Sequence, residues 1–155
     1  MRTNTRVLYL EAPGSYTFEI PDIPGLAEVA HAHGALVMLD NTWASPLLLR
    51  PFDLGVDVSL VALTKYWSGH SDVLMGACIT TEALWPQVWS ATKTLGQCVS
   101  GDDASLVLRG MQTLHARLDI HEKSALEVAR YLQCHPAVKR VLHPALPEDP
   151  NPKAG

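Results

Sequence analysis

VALTKYWSGHSD, residues 61–72, is the stretch whose reading decides the fold. It finishes an apolar run, VDVSLVAL (56–63), and then delivers Lys65 into turn formers, hydroxyls and a histidine. A continuous apolar run of this length, closed by turn residues, reads as a strand covered on both faces. A lysine at the end of such a strand is either a charge snorkelling to water or a reactive amine held in a pocket. The surrounding chain has to separate the two.

Upstream, ALVMLD (35–40) has the same continuous apolar character and ends in Asp40, and RVLYLE (6–11) reads as a short buried strand stopped by APGS. Between them, PDIPGLAEVAHAHG carries helix signals. Asp22 caps, Pro24 sits in the first turn, and Gly34 closes with a left-handed residue. The connection from 40 to 57 is long enough for a parallel crossover, whereas a hairpin needs only a few residues. These elements imply an α/β sheet with parallel members.

Downstream, VLMGACIT (73–80) is a further strand, with Cys78 as a buried mid-strand thiol. A helix over 81–97 brings Trp85 and Trp89 together at i, i+4, with Pro86 tolerated near its first turn. Ser100 and Asp103 form a capping signal. The long helix that follows carries Ala104, Val107, Met111, Leu114 and Leu118, then Ala125, Val128 and Leu132, as a core seam interrupted by His121. AVKRVLHPAL (137–146) reads as a strand, and the proline-rich last twelve residues as loop or disorder.

Composition excludes several classes. The 155 residues, 47% hydrophobic and 18% charged, describe about one globular domain. A net charge of −4 without a basic stripe argues against nucleic acid. Three widely spaced cysteines fit reduced thiols, the seven histidines form no ligand cluster, and no apolar run is long enough for a membrane span. The first residues lack a signal-peptide core, so the expectation is a cytoplasmic protein with no membrane partner.

In open α/β sheets, ligands bind beyond the carboxyl ends of parallel strands. Asp40, Thr64 and Lys65 all fall at such ends. A carboxylate, a hydroxyl and an amine meeting there match the needs of pyridoxal phosphate: an amine for its aldehyde, a carboxylate for its pyridine nitrogen and donors for its phosphate. A plain salt bridge between Asp40 and Lys65 fits the same spacing, which leaves both readings open.

DVSLVALTKYWSGHSD resembles the lysine signature of the pyridoxal-phosphate enzymes of cysteine and methionine metabolism, the cystathionine lyase and synthase family. The matching positions are Asp57, Thr64, Lys65, Tyr66, Gly69, His70 and Ser71; Leu63 and Trp67 are bulkier than usual. MLDNTWASPLL resembles the family segment whose aspartate, here Asp40, faces the pyridine nitrogen. The stretch from RGMQTLHARL to HPALP is similar to the long-helix region joining the family's two domains, and LEAPGS resembles the β-lyase branch.

The resemblance implies a fold: part of the large-domain, mostly parallel sheet with flanking helices of the fold-type I, aspartate aminotransferase-like enzymes, plus the start of the small domain. Residues 1–100 would be a partial cofactor-binding domain, 101–135 a connecting helix and 136–155 the start of the small domain. It also implies a carbon–sulfur lyase of trans-sulfuration and methionine biosynthesis, releasing homocysteine, pyruvate and ammonia from L-cystathionine by β-elimination. A γ-lyase, a γ-synthase or an inactive truncated remnant are the alternatives. Lys65 would bind the cofactor's aldehyde and move the substrate α-proton, Asp40 would keep the ring nitrogen protonated, and Thr64 would donate to the phosphate.

Tyr66 and Trp67 are expected to pack, His70 to hydrogen-bond within its turn, and His31 and His33 to lie on opposite helix faces. Family members are longer, so the phosphate loop, the ring-stacking aromatic and the arginine for the substrate carboxylate are expected outside this chain. The family also implies an amino-acid substrate and a homo-oligomer with sites shared between subunits. The isolated chain is expected to associate or fold poorly, without pyruvate release.

Overall fold

The computed structural model describes residues 1–147 and residue 149. Three strands set the frame: β1 (Val7–Glu11), β2 (Leu36–Asp40) and β3 (Val58–Ala62). β1 and β2 pair in parallel from Val7↔Leu36 to Glu11↔Asp40, and β2 and β3 in parallel from Met38↔Val58 to Asp40↔Leu60. Their carboxyl ends therefore open on one edge, as the apolar runs imply.

The crossover between β1 and β2 is α1 (Ile23–Ala32), and its ends follow the sequence signals. Asp22 accepts the Gly25 N–H at 3.1 Å, Pro24 sits in the first turn, and Gly34 adopts φ +68°, open to glycine without strain. α1 lays Ile23, Ala27 and Ala30 against Leu10, Val37, Leu39 and Val56, which form the core cluster. The Asp57 carboxylate fastens three elements at once. It accepts the Val37 N–H at 2.7 Å and contacts His31 Nε2 at 2.9 Å. His33 instead turns its Nδ1 to the Val29 carbonyl.

Short helical turns, α2 (Ser45–Leu48) and a 3-10 turn (Pro51–Leu54), lead into β3. The fourth strand, β4 (Gly76–Thr80), joins β3 antiparallel, so the sheet order is β1-β2-β3-β4. α3 (Trp85–Thr94) stacks Trp85 on Trp89 with ring centroids 5.5 Å apart.

Several expectations are corrected here. β1 is a half-exposed edge strand and not a buried one, since only β2 flanks it. Cys78, on the opposite edge strand, is exposed, as are the free thiols of Cys98 and Cys134. The single long helix is two, α4 (Gly101–Met111) and α5 (Leu114–Gln133). The expected cap forms, with Ser100 Oγ accepting the Asp103 N–H at 3.0 Å. The break lies at 112–113, where Thr113 Oγ1 donates back to the Gly110 carbonyl at 3.2 Å, a bond that competes with helix continuation.

The seam holds at Val107, Leu114 and Leu118, but Met111 and Val128 face outward and Ala129 is buried instead. A 3-4 alternation has a period of about 3.5, which drifts around a straight helix, and the break adds to the drift. The strand expected at 137–146 does not form: the segment joins no ladder of the sheet, and local turns take up backbone groups there, Val138 N–H bonding the His135 carbonyl and Leu146 N–H the His143 carbonyl, each at 2.9 Å. Leu146 is buried there, and His143 meets Trp43 edge-on at 6.4 Å. Of the proline-rich tail, residues 148 and 150–155, with Pro150 and Pro152, lie outside the described residues.

Candidate active site

A cleft of about 490 Å³ opens at the carboxyl ends of the parallel strands, a size usual for small-molecule sites. Each strand contributes. β1 brings Glu11, whose carboxylate accepts the Ser15 backbone N–H at 3.2 Å and the Ser15 hydroxyl at 2.8 Å. β2 brings Asp40, whose Oδ1 accepts the Thr42 N–H at 2.9 Å. β3 ends at Ala62, and the turn after it brings Lys65 and Tyr66 into the cleft wall. Trp43 lines it from the other side.

Asp40 and Lys65 thus share one cleft, yet among the described residues no ion pair joins them. The salt-bridge alternative is not what the structure builds. Lys65 is exposed and its amine makes no hydrogen bond among the described residues. Tyr9, two residues before Glu11 on β1, has its phenol pKa raised by desolvation, with the Asp40 and Glu11 charges and an Asp40 hydrogen bond adding. Asp40 thus lies within reach of the Tyr9 phenol as well as the Thr42 N–H.

Thr64 is placed differently. Its hydroxyl donates to the Met75 carbonyl at 3.2 Å and accepts the Met75 N–H at 3.0 Å, so it closes the base of the loop. It lines a second cavity of about 350 Å³ with Arg117 and His121; Lys65 and Tyr66 border both cavities. Donation from Thr64 to a phosphate would require breaking its Met75 bond. Thr42 is the hydroxyl that sequence reasoning missed: it accepts the Ala62 N–H at 2.8 Å and keeps its own proton free on the cleft wall.

The loop is fixed from within. Ser68 is almost fully buried, its hydroxyl donating to the Thr64 carbonyl at 3.1 Å, and His70 Nδ1 meets the Ser68 carbonyl, the turn role expected of it. Tyr66 packs against His121 with rings 5.6 Å apart, and Trp67 is half-buried, as expected of both.

The chemistry of the cleft fits pyridoxal phosphate at two of its three ends. Asp40 suits the pyridine nitrogen and Lys65 the aldehyde. For the phosphate, the cleft wall supplies hydroxyls but no cation besides Lys65.

Comparison with known proteins points to the same cofactor. The family model described as "Cys/Met metabolism PLP-dependent enzyme" matches residues 1–154. The chain is 46% identical to the cystathionine beta-lyase of Bordetella avium, over 97% of this chain and 38% of that protein. It is 43% identical to the L-alanine/L-glutamate racemase of Wolbachia pipientis wMel, over 97% of this chain and 37% of the other. A crystal structure of cystathionine gamma-lyase from Lactobacillus plantarum, complexed with L-serine, superposes with a TM-score of 0.93 at 37% identity. It covers 97% of this chain and 40% of its own. The chain spans well under half the length of these relatives.

Proposed function

Because the chain belongs to the Cys/Met metabolism PLP-dependent enzyme family, we propose that it carries the lysine and carboxylate of a carbon–sulfur lyase site. The reaction proposed is β-elimination of L-cystathionine. The Cβ–S bond breaks, homocysteine leaves as the thiol, and the remaining three-carbon unit is hydrolysed to pyruvate and ammonia. The observation that carries this reading is the placement of Asp40 and Lys65 on one cleft, unpaired, at the ends of β2 and β3.

When bound, pyridoxal phosphate supplies an electron sink for the carbanion formed at the substrate α-carbon. The chain's own residues do the rest. Lys65 Nζ, free of any carboxylate partner among the described residues, would hold the aldehyde end and, once released, would take the proton from the substrate α-carbon and deliver it to the departing sulfur. The Asp40 carboxylate, held in place by the Thr42 N–H, would face the ring nitrogen and keep a proton on it. Thr64 keeps the Lys65 turn closed through Met75 and reaches a phosphate only by giving up that bond.

Residues 1–100 are read as part of the cofactor domain, with 101–135 linking to the start of a smaller one. Free, exposed cysteines support a reducing, cytoplasmic compartment. Self-association into a homo-oligomer completes the proposal.

A sibling γ-elimination is the second reading, favoured by the close superposition on a cystathionine gamma-lyase. Two measurements test these readings. Borohydride reduction of the chain mixed with pyridoxal phosphate, followed by peptide mapping, should place the label on Lys65; label confined to Lys93 or Lys123 removes the assignment. The full protein carrying this chain should release pyruvate from cystathionine, whereas 2-oxobutyrate in its place identifies the γ-reaction.

A further inference from the structure

The turn that carries Lys65 is gripped from outside the sheet by one side chain. Arg117, in the first turns of α5, donates from Nη1 to the Tyr66 carbonyl at 2.6 Å and from Nη2 to the Gly110 carbonyl at 2.9 Å. Its Nε donates to Thr113 Oγ1 at 3.0 Å. One planar guanidinium therefore ties the residue after Lys65 to the elbow between α4 and α5. Lysine could not reproduce that fork, having a single compact charge in place of fixed donors.

Two glycines show how closely the parts meet. A Cβ at Gly69, whose φ is +73°, would lie 2.6 Å from the Arg117 guanidinium carbon. A Cβ at Gly110 would lie 2.1 Å from the Ser68 carbonyl oxygen. The Gly110 contact, against backbone, requires glycine, and at Gly69 the left-handed φ favours it. Arg117 also lines the smaller cavity that Lys65 borders, so the guanidinium stands behind the lysine and outside the Asp40 cleft.

We propose that Arg117 is a positioning residue for Lys65: by holding the Tyr66 carbonyl it sets the backbone from which the lysine amine reaches the cleft. This rests on the reading of Lys65 as the cofactor-bearing lysine. Misplacement of a reacting group by about 1 Å can cost on the order of 100-fold, so a clamp one peptide away has leverage.

The test compares the full chain with Arg117→Ala and Arg117→Lys in two measurements. The first is amide hydrogen exchange, which needs no cofactor. Arg117→Ala should speed exchange at Ser68 and Gly69, whose N–H groups bond back to Leu63 and Lys65, at least tenfold. Val37 and Leu39 in the core should be unchanged. The second is borohydride trapping with pyridoxal phosphate: the label on Lys65 should fall about tenfold or more in both variants, while background label on Lys93 and Lys123 stays constant. Added guanidinium at millimolar concentration should restore trapping in the alanine variant and leave the lysine variant unrestored. Unchanged loop exchange, or full trapping at Lys65 in Arg117→Ala, overturns the proposal. Exchange that rises equally in loop and core overturns it too, since Arg117 would then hold the fold as a whole. Label absent from Lys65 in the unsubstituted chain, with the loop exchange result intact, overturns instead the reading of Lys65 on which the proposal rests.

Discussion

Residues 7–62 build a core cluster from their own side chains, although Tyr16, Leu47 and Leu48 face water, whereas residues 74–131 gather few buried apolar side chains and turn many toward water. In the first region Ala30, Val37 and Leu39 have no exposed surface at all. In the second, α3 has no buried residue, and Leu74, Leu95, Leu108 and Tyr131 are exposed by 92%, 73%, 63% and 67%. The first region therefore owns a closed core, while the helices of the second have apolar faces that nothing among the described residues covers. Exposed patches of that kind favour association. The Asp40 cleft hangs from the closed region and the turn after β3, and the helical region touches that turn from outside the cleft, through Arg117 and His121.

That contrast can be broken most sharply in the core. Leu39→Ala should lower stability by about 2–5 kcal/mol in a denaturant melt, because a closed interior cannot refill the space. A loss well under 1 kcal/mol would show that the first region is as open as the second. Next in size is Asp57→Ala, which strands the Val37 N–H and releases His31; about 1–3 kcal/mol is expected from an unsatisfied N–H, with Asp57→Asn recovering part of it. Ser100→Ala removes the α4 cap and should cost about 1 kcal/mol, read from the same melts and from a drop in helical circular dichroism. Smallest is Leu108→Ser, on the uncovered face. Stability should change by no more than about 0.5 kcal/mol, while sedimentation should show weaker self-association. A large stability loss there would mean that the helical region has a core of its own.

What was legible in the sequence follows the same divide. Strands β1 to β3, α1 and the placement of Asp40 and Lys65 can be read because period, caps and crossover length are local signals. The sense of β4 cannot, since an apolar run looks the same in either direction. The elbow at 112–113 is hidden for another reason: Thr113 and Gly110 look unremarkable until Arg117 and the Ser68 carbonyl are brought against them. The missing strand at 137–146 depends on a neighbour that the sequence does not name. The motif around Thr64 assigns it to a phosphate, and only the fold brings Met75 against its hydroxyl.

The antiparallel pairing of β3 with β4 has a kinetic side. Residues 63–75, which join them, form the shortest of the three connections in the sheet, against 12–35 and 41–57. Loop-closure entropy rises only slowly with length, by about 0.6 kcal/mol per doubling, so the head start is modest. It nevertheless falls on the segment that holds Lys65. The ladder from Val58↔Thr80 to Ala62↔Gly76 can close before either parallel pair has found its partner. The turn bearing the reactive amine would then be shaped early, as a hairpin, and the cleft assembled around it as β2 and β1 dock in succession.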